Sequence, residues 1–284
     1  MEKLFHLKEN HTDVKTEVMA GITTFMTMAY ILAVNPSVLG STGMDTTAVL
    51  LATALASCLG TLCMAFMANL PFALSAGMGL NAFMAYTVVA GYGYSWQVAL
   101  LAVFIEGLIF IVLSLTNIRE AIFNAIPLTL KKGVSVGIGL FIAFIGLQNS
   151  GLCVDSATLV GIISFPENFH TAGICALLTL IGLFFTAVFY TRKMKGAILY
   201  GILLTWILGM LCQVTGLYVP TPDAGFYSLF PSWGMTDFSK LGLTFGQCFN
   251  VDFSAVGIVN FIVVIFSFLF VDIFDTLGTL IGVA

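Results

Sequence analysis

The stretch Leu177-Leu178-Thr179-Leu180-Ile181-Gly182-Leu183-Phe184-Phe185-Thr186-Ala187-Val188-Phe189-Tyr190 contains no charge and no alternation of apolar and polar positions. A strand of a membrane barrel alternates with a period of two. In lipid, where no water satisfies stray N–H and C=O groups, a run without that period is left with the helix. The rest of the chain has the same character. Of its 284 residues, 59% are hydrophobic and 8% charged, against about 25% charged in an average soluble domain. Such a composition excludes an ordinary water-soluble globule and predicts an all-α integral membrane protein.

At about twenty apolar residues per crossing, the charges and the Gly, Pro and Asn clusters divide the chain into eight segments. They lie near 18–39, 46–68, 73–90, 97–116, 133–149, 170–191, 197–217 and from 254 to Ala284. With the N-terminus in the cytoplasm, Lys3, Lys8, Lys15, Arg119, Lys131, Lys132, Arg192, Lys193 and Lys195 all face inward and only Lys240 faces outward. This asymmetry sets the expected orientation. The outer loops then hold Asp45, Asp155, Glu167, Asp223, Asp237 and Asp252, and the longest of them, 218–253, is expected along the outer interface. Residues 117–132, with Pro127 and the Lys131/Lys132 pair, form the expected boundary between helix bundles.

Ten Lys and Arg against fourteen Asp and Glu, a net charge of −4, give no basic surface for nucleic acid. The six cysteines form no C-x-x-C pair, so neither a disulfide framework nor a zinc site is indicated. The first apolar run is too long for a signal-peptide core and reads as an uncleaved span. At the other end, Leu277 to Ala284 is still apolar, which predicts that the chain is a truncated piece of a longer transporter-sized protein.

Ionisable groups inside the spans are few: Glu106, Asp272 and Asp275. Each is costly in hydrocarbon, about 2.5–3.5 kcal/mol for a central Asp on insertion scales. At 100° per residue, Asp272, Asp275, Thr276 and Thr279 share about a third of the helix circumference. A low dielectric favours the neutral form of a carboxylate, and exchange near neutral pH is what a proton-coupled carrier needs. The bland alternative ends the span at Val271 and leaves both Asp in cytoplasmic water. Glu106 has no basic neighbour in sequence and is the third proton-coupling candidate, or else is bonded to a facing helix.

In the third span, Ser75-Ala76-Gly77-Met78-Gly79-Leu80-Asn81-Ala82-Phe83 sets two glycines and an amide in an apolar run. Glycines there allow a broken helix whose backbone faces a ligand, with Asn81 offering donor and acceptor to a planar heterocycle. The same spacing also suits close helix packing through small residues. The first span carries Gly21, Thr23, Thr24, Thr27 and Tyr30 and ends in Asn35-Pro36. Its hydroxyls either line a polar cavity or bond their own helix carbonyls. A carrier for a small polar solute accommodates all three features. The rivals are a magnesium-dependent prenyltransferase-like enzyme, suggested by D-x-x-D, and a channel. The first wants Lys or Arg near Asp272 and the second a filter-like repeat; neither feature is present in the sequence.

The stretches Ala20-Gly-Ile-Thr-Thr-Phe-Met-Thr-Met-Ala-Tyr-Ile-Leu-Ala-Val-Asn-Pro36, Ala76-Gly-Met-Gly-Leu-Asn-Ala-Phe83 and Phe270-Val-Asp-Ile-Phe-Asp-Thr-Leu-Gly-Thr279 together resemble the AzgA-like purine permeases. That branch belongs to the nucleobase/cation symporter-2 superfamily, which also holds uracil, xanthine and ascorbate carriers. The resemblance implies fourteen spans in two inverted repeats of seven, of which this chain reaches the eighth. Residues 1–116 and 254–284 would belong to a core domain and 117–253 to a gate domain. It implies proton symport of hypoxanthine, guanine or adenine, with the proton as coupling ion and no other cofactor. The setting would be a plasma membrane, the bacterial inner membrane, and related carriers imply a homodimer. The base would sit between spans 3, 8 and 10. Asp272 would bond its ring nitrogens, Asp275 and Thr276 would lie at its edge, and Asn81, Ala82 and Phe83 beside it. Other branches carry a Gln-His pair where this sequence has Thr23 and Thr24, so Thr24 is a candidate contact by position. A uracil or xanthine substrate is the alternative within the superfamily.

Overall fold

The computed structural model describes residues 5, 7, 12–116, 121, 124–157, 159–194, 196–222, 225–231, 234, 236–252 and 256–283, without the side chains of 131 and 277–283. Lys3, Lys8, Arg119, Lys195 and Asp223, assigned to loops above, lie outside the described residues, as do the side chains of Lys131 and Thr279. Among the described residues, seven helices are long and apolar enough to cross a membrane: Val14–Gly40, Thr46–Ala68, Trp96–Leu115, Leu128–Asn149, Phe165–Thr191, Ala197–Val214 and Ile258–Thr276. A shorter apolar helix, Met78–Gly91, falls between the second and third of these. Each of the eight segments expected from composition thus overlaps one of these helices. Among the described residues the strands form a small antiparallel hairpin outside the spans, β1 (Cys153–Ser156) and β2 (Leu159–Ile162), with Cys153 opposite Ile162.

The first span departs from the single helix expected over 18–39. It is two helices, α1 (Val14–Met28) and α2 (Ile31–Gly40), joined by tight turns in which Leu32 N–H bonds Ala29 C=O and Ala33 N–H bonds Tyr30 C=O. On the N-terminal side, Thr23, Thr24 and Thr27 donate their hydroxyls to carbonyls of their own helix, a pattern that bends helices. On the other, Pro36 removes an amide donor from α2.

The chain divides into two compact units. One comprises residues up to 14, 28–141 and 236–284. Within it, α3 (Thr46–Cys63) is capped by Asp45, whose carboxylate accepts from Ala48 N–H at 2.9 Å. α4 (Met78–Ala82) continues as a π-helical stretch to Gly91, and α5 (Trp96–Leu115) is capped by Ser95. α6 (Leu128–Asn149) leaves this unit partway along its length. The last helix, α9 (Ile258–Val283), packs on α5 and α4, while α2 packs on α3 and α4. Val88, Val98 and Phe268 are fully buried at the centre of the core. Ala99 and Ala102 are likewise inaccessible; their small side chains let α9 approach α5 closely. A strap, the 3₁₀ turns Phe238–Leu243 and Gln247–Phe249, is tied down by Lys240 on Asp45 at 3.2 Å and by Phe249 edge-on to Phe104.

The second unit comprises 15–27 and 142–235. Its centre is the pair α7 (Ile174–Thr191) and α8 (Ala197–Val214). The two helices share a Gly-x-x-x-Thr pattern: the Thr205 side chain fills the space over Gly182 and the Thr186 side chain that over Gly201. Each Thr hydroxyl donates to the glycine carbonyl one turn back on its own helix, so the close approach leaves both hydroxyls bonded. Gln213 then holds the following loop, donating to Ser228 Oγ and accepting from Leu229 N–H.

Candidate functional site

The third span is broken where the two glycines stand. Residues 69 to 77 have no helical or strand pairing, and α4 begins only at Met78 with Gly77 as its extended cap, φ −75 and ψ 127. Asn69 ends the preceding helix in the left-handed region, φ 56, and donates its side-chain amide to Phe5 C=O. An extended segment at membrane depth needs partners for its backbone. α3 supplies one from a side chain, the Thr61 hydroxyl accepting from Leu74 N–H at 3.0 Å, and one turn earlier the Ser57 hydroxyl bonds the Ser75 hydroxyl at 2.7 Å. Neither Ser57 nor Thr61 stood out in the sequence, although the polar Ser57-x-x-x-Thr61 repeat in an apolar span was a usable signal.

α9 brings an acid to this break. A Cβ placed on Gly77 would lie 2.6 Å from Asp275 Oδ2, so the Asp275 carboxylate stands directly against the Gly77 backbone. There it meets the N-terminal end of α4, whose first amides have no carbonyl within the helix and favour negative charge. One turn earlier, Asp272 lies within electrostatic reach of Glu106 on α5. Glu106 is 5% exposed, lies on the same face as Ala99 and Ala102, and its Oε1 has no hydrogen-bond partner. Asp272, Asp275 and Thr276 are all half-buried on a continuous helix. Helix geometry continues past Val271 through both carboxylates, and Asp275 faces the Gly77 backbone.

The α4 residues play different parts. Asn81 donates from Nδ2 to Asn35 Oδ1 at 2.5 Å, and Asn35 Nδ2 donates to the Thr53 hydroxyl at 2.7 Å. Thr53 passes its own hydrogen to Val49 C=O at 2.7 Å. Asn35 and Thr53, 4% and 5% exposed, were not among the residues singled out as ligands; sequence gave Asn35 only as the end of the first span. Ala82 is buried in the helix interface, and Phe83 sits edge-on to Phe268 at 5.0 Å between centroids, so both pack the wall. A Cβ on Gly79 would meet nothing within 4 Å, which leaves open space beside the break. Thr24 belongs to the other compact unit, and its hydroxyl donates to Gly21 C=O at 2.9 Å. Gly77, Asn81, Asp272, Asp275, Thr276 and Glu106 all fall within the first unit, where Asp275 meets Gly77.

The Permease family model (Xan_ur_permease) matches residues 15–284. The chain belongs to that family. It is 42% identical to the guanine/hypoxanthine permease PbuO of Bacillus subtilis, over 99% of this chain and 61% of the relative. It is 43% identical to the guanine/hypoxanthine permease PbuG of the same organism, over 100% of this chain and 62% of the relative. With the adenine permease AdeP of Escherichia coli the identity is 38%, over 100% and 59%. The chain thus spans 59–62% of the length of these relatives. This is a family of membrane transporters and not of enzymes, which removes the prenyltransferase-like alternative.

Proposed function

We propose that the protein is a secondary transporter that imports purine nucleobases, hypoxanthine and guanine or adenine, by proton symport. The observation that carries this reading is the broken third span, with Asp275 against Gly77 and Asn81 one turn further on. A purine base is neutral, planar and edged with N–H donors and N or C=O acceptors. Carboxylates of α9 accept its ring N–H groups, the Asn81 amide meets a second edge, and Phe83 with Ala82 forms the apolar wall. Hydrogen bonds to a charged acceptor are worth about 1.5–3 kcal/mol each, enough to select a base without a fixed countercharge. The names of the guanine/hypoxanthine and adenine relatives support the same substrate class.

Proton coupling is assigned to Asp272 and Asp275 on α9 and to Glu106 on α5. Protonation of one member neutralises a buried charge as the loaded site turns inward, and its release empties the site. In this reading residues 1–116 and 254–284 form a core that moves against a gate, 117–253. The N-terminus faces the cytoplasm, the membrane is the bacterial inner membrane, and the protein works as a homodimer. The test is uptake of labelled hypoxanthine, guanine, adenine and uracil by purine-transport-deficient cells expressing the full-length protein, with and without a protonophore. Protonophore-sensitive purine uptake is expected. Uptake of uracil alone, or of no base by a correctly inserted protein, overturns the proposal.

A further inference from the structure

We infer that Thr53 and Asn35 are positioning residues that fix which end of the Asn81 amide faces the ligand, and so set the discrimination between 6-oxo and 6-amino purines. The inference rests on the purine reading above. Its argument is a donor count. A threonine hydroxyl has one hydrogen, and that of Thr53 goes to Val49 C=O. Towards Asn35 the Thr53 oxygen is therefore an acceptor only, so Asn35 must present its NH₂ there. That commitment leaves Asn35 Oδ1 on the opposite side, where Asn81 must supply an N–H. The Asn81 carbonyl is then the end turned away from the relay. An amide turned end for end has nearly the same shape, so only a hydrogen-bond relay of this kind distinguishes its two orientations.

The relay is buried at Asn35 and Thr53 and reaches a less buried Asn81. Its three members come from α2, α3 and α4, so the orientation is carried from rigid helices to the edge of the break. The Asn81 oxygen accepts from a base that offers a donor. Hypoxanthine and adenine exchange donor and acceptor at ring position 1 and at the 6-substituent. A flipped Asn81 therefore inverts their ranking.

Thr53→Val keeps the shape of Thr53 and removes the acceptor, which frees Asn35 and then Asn81 to turn. Thr53→Ala removes the same acceptor with less volume, and Thr53→Ser restores it. The assay is competition by hypoxanthine and by adenine against uptake of a labelled purine, in the full-length protein, with membrane abundance measured in parallel. The expected result is a change of at least about tenfold in the ratio of the two inhibition constants for Val and Ala, one hydrogen bond's worth, and an unchanged ratio for Ser. An unchanged ratio in all three, or a shift in Ser equal to that in Val, overturns the inference. A purely structural role lowers abundance or raises both constants together and leaves the ratio alone, which also overturns it. Failure of the purine reading is separate, because it shows as absent purine uptake in the unsubstituted protein.

Discussion

Gly77→Ala tests the central contact of the site. The new methyl carbon falls 2.6 Å from Asp275 Oδ2, whereas ordinary contact begins at 3.4 Å, so the carboxylate must retreat by about 0.8 Å. Asp has a short side chain on a helix, and a rotation of that size takes it off its rotamer at about 1 kcal/mol. Displacements near 1 Å of a positioned group reduce rates on the order of 100-fold, and a loss of this size is expected in initial uptake at limiting purine. The variant should still insert, because an Ala at the cap position keeps the extended φ and ψ accessible. Gly139→Ala, on α6 with nothing within 4 Å of its added carbon, is the control for a glycine loss as such. The double substitution Gly77→Ala, Asp275→Ala separates contact from coincidence. If the methyl acts through the carboxylate, it adds little once the carboxylate is gone, and the two losses are strongly non-additive. Unimpaired uptake by Gly77→Ala, or fully additive losses in the pair, would refute the placement of Asp275 at the break.

Three more expectations concern other parts of the molecule. Asp272→Asn should abolish accumulation of labelled purine while membrane abundance is unchanged; normal accumulation would remove Asp272 from the site. At the strap of 3₁₀ turns, the Ala48 backbone N–H and then the Lys240 ammonium hold the Asp45 carboxyl below its usual range. The Asp45 contribution is therefore present above the unfolded carboxylate pKa of 3.8 and lost as pH falls through the lower folded value. Hydrogen exchange of 238–243, corrected for intrinsic pH dependence, should rise in that acid window and in Asp45→Asn at neutral pH, and a flat profile would contradict the latch. Gly201→Ala drives a methyl into the Thr186 side chain. It should destabilise the α7–α8 pair by about 1–3 kcal/mol in thermal unfolding of the solubilised protein, with relief on adding Thr186→Ala; no relief would mean the helices pack elsewhere.

What the sequence determined by itself follows from properties that are local along the chain. A run such as Leu177–Tyr190 can be nothing but a helix in lipid, and eight such runs gave the spans. Gly77, Gly79 and Asn81 marked the place where one of them breaks, because glycine weakens a helix wherever it sits. Asp272, Asp275 and Glu106 announced themselves by their solvation cost. What only the tertiary structure decided are the partners, since a hydrogen bond or a carboxylate's neighbour depends on which helices meet. That Asn81 is held by Asn35 and Asn35 by Thr53, that Thr61 meets the Leu74 backbone and Ser57 the Ser75 hydroxyl, and that Asp275 stands at Gly77 are contacts between segments distant in sequence. The threonines of the first span show the limit most clearly. Their stripe suits a polar cavity or self-bonded hydroxyls equally well by spacing, and only the folded structure shows each hydroxyl given to its own helix.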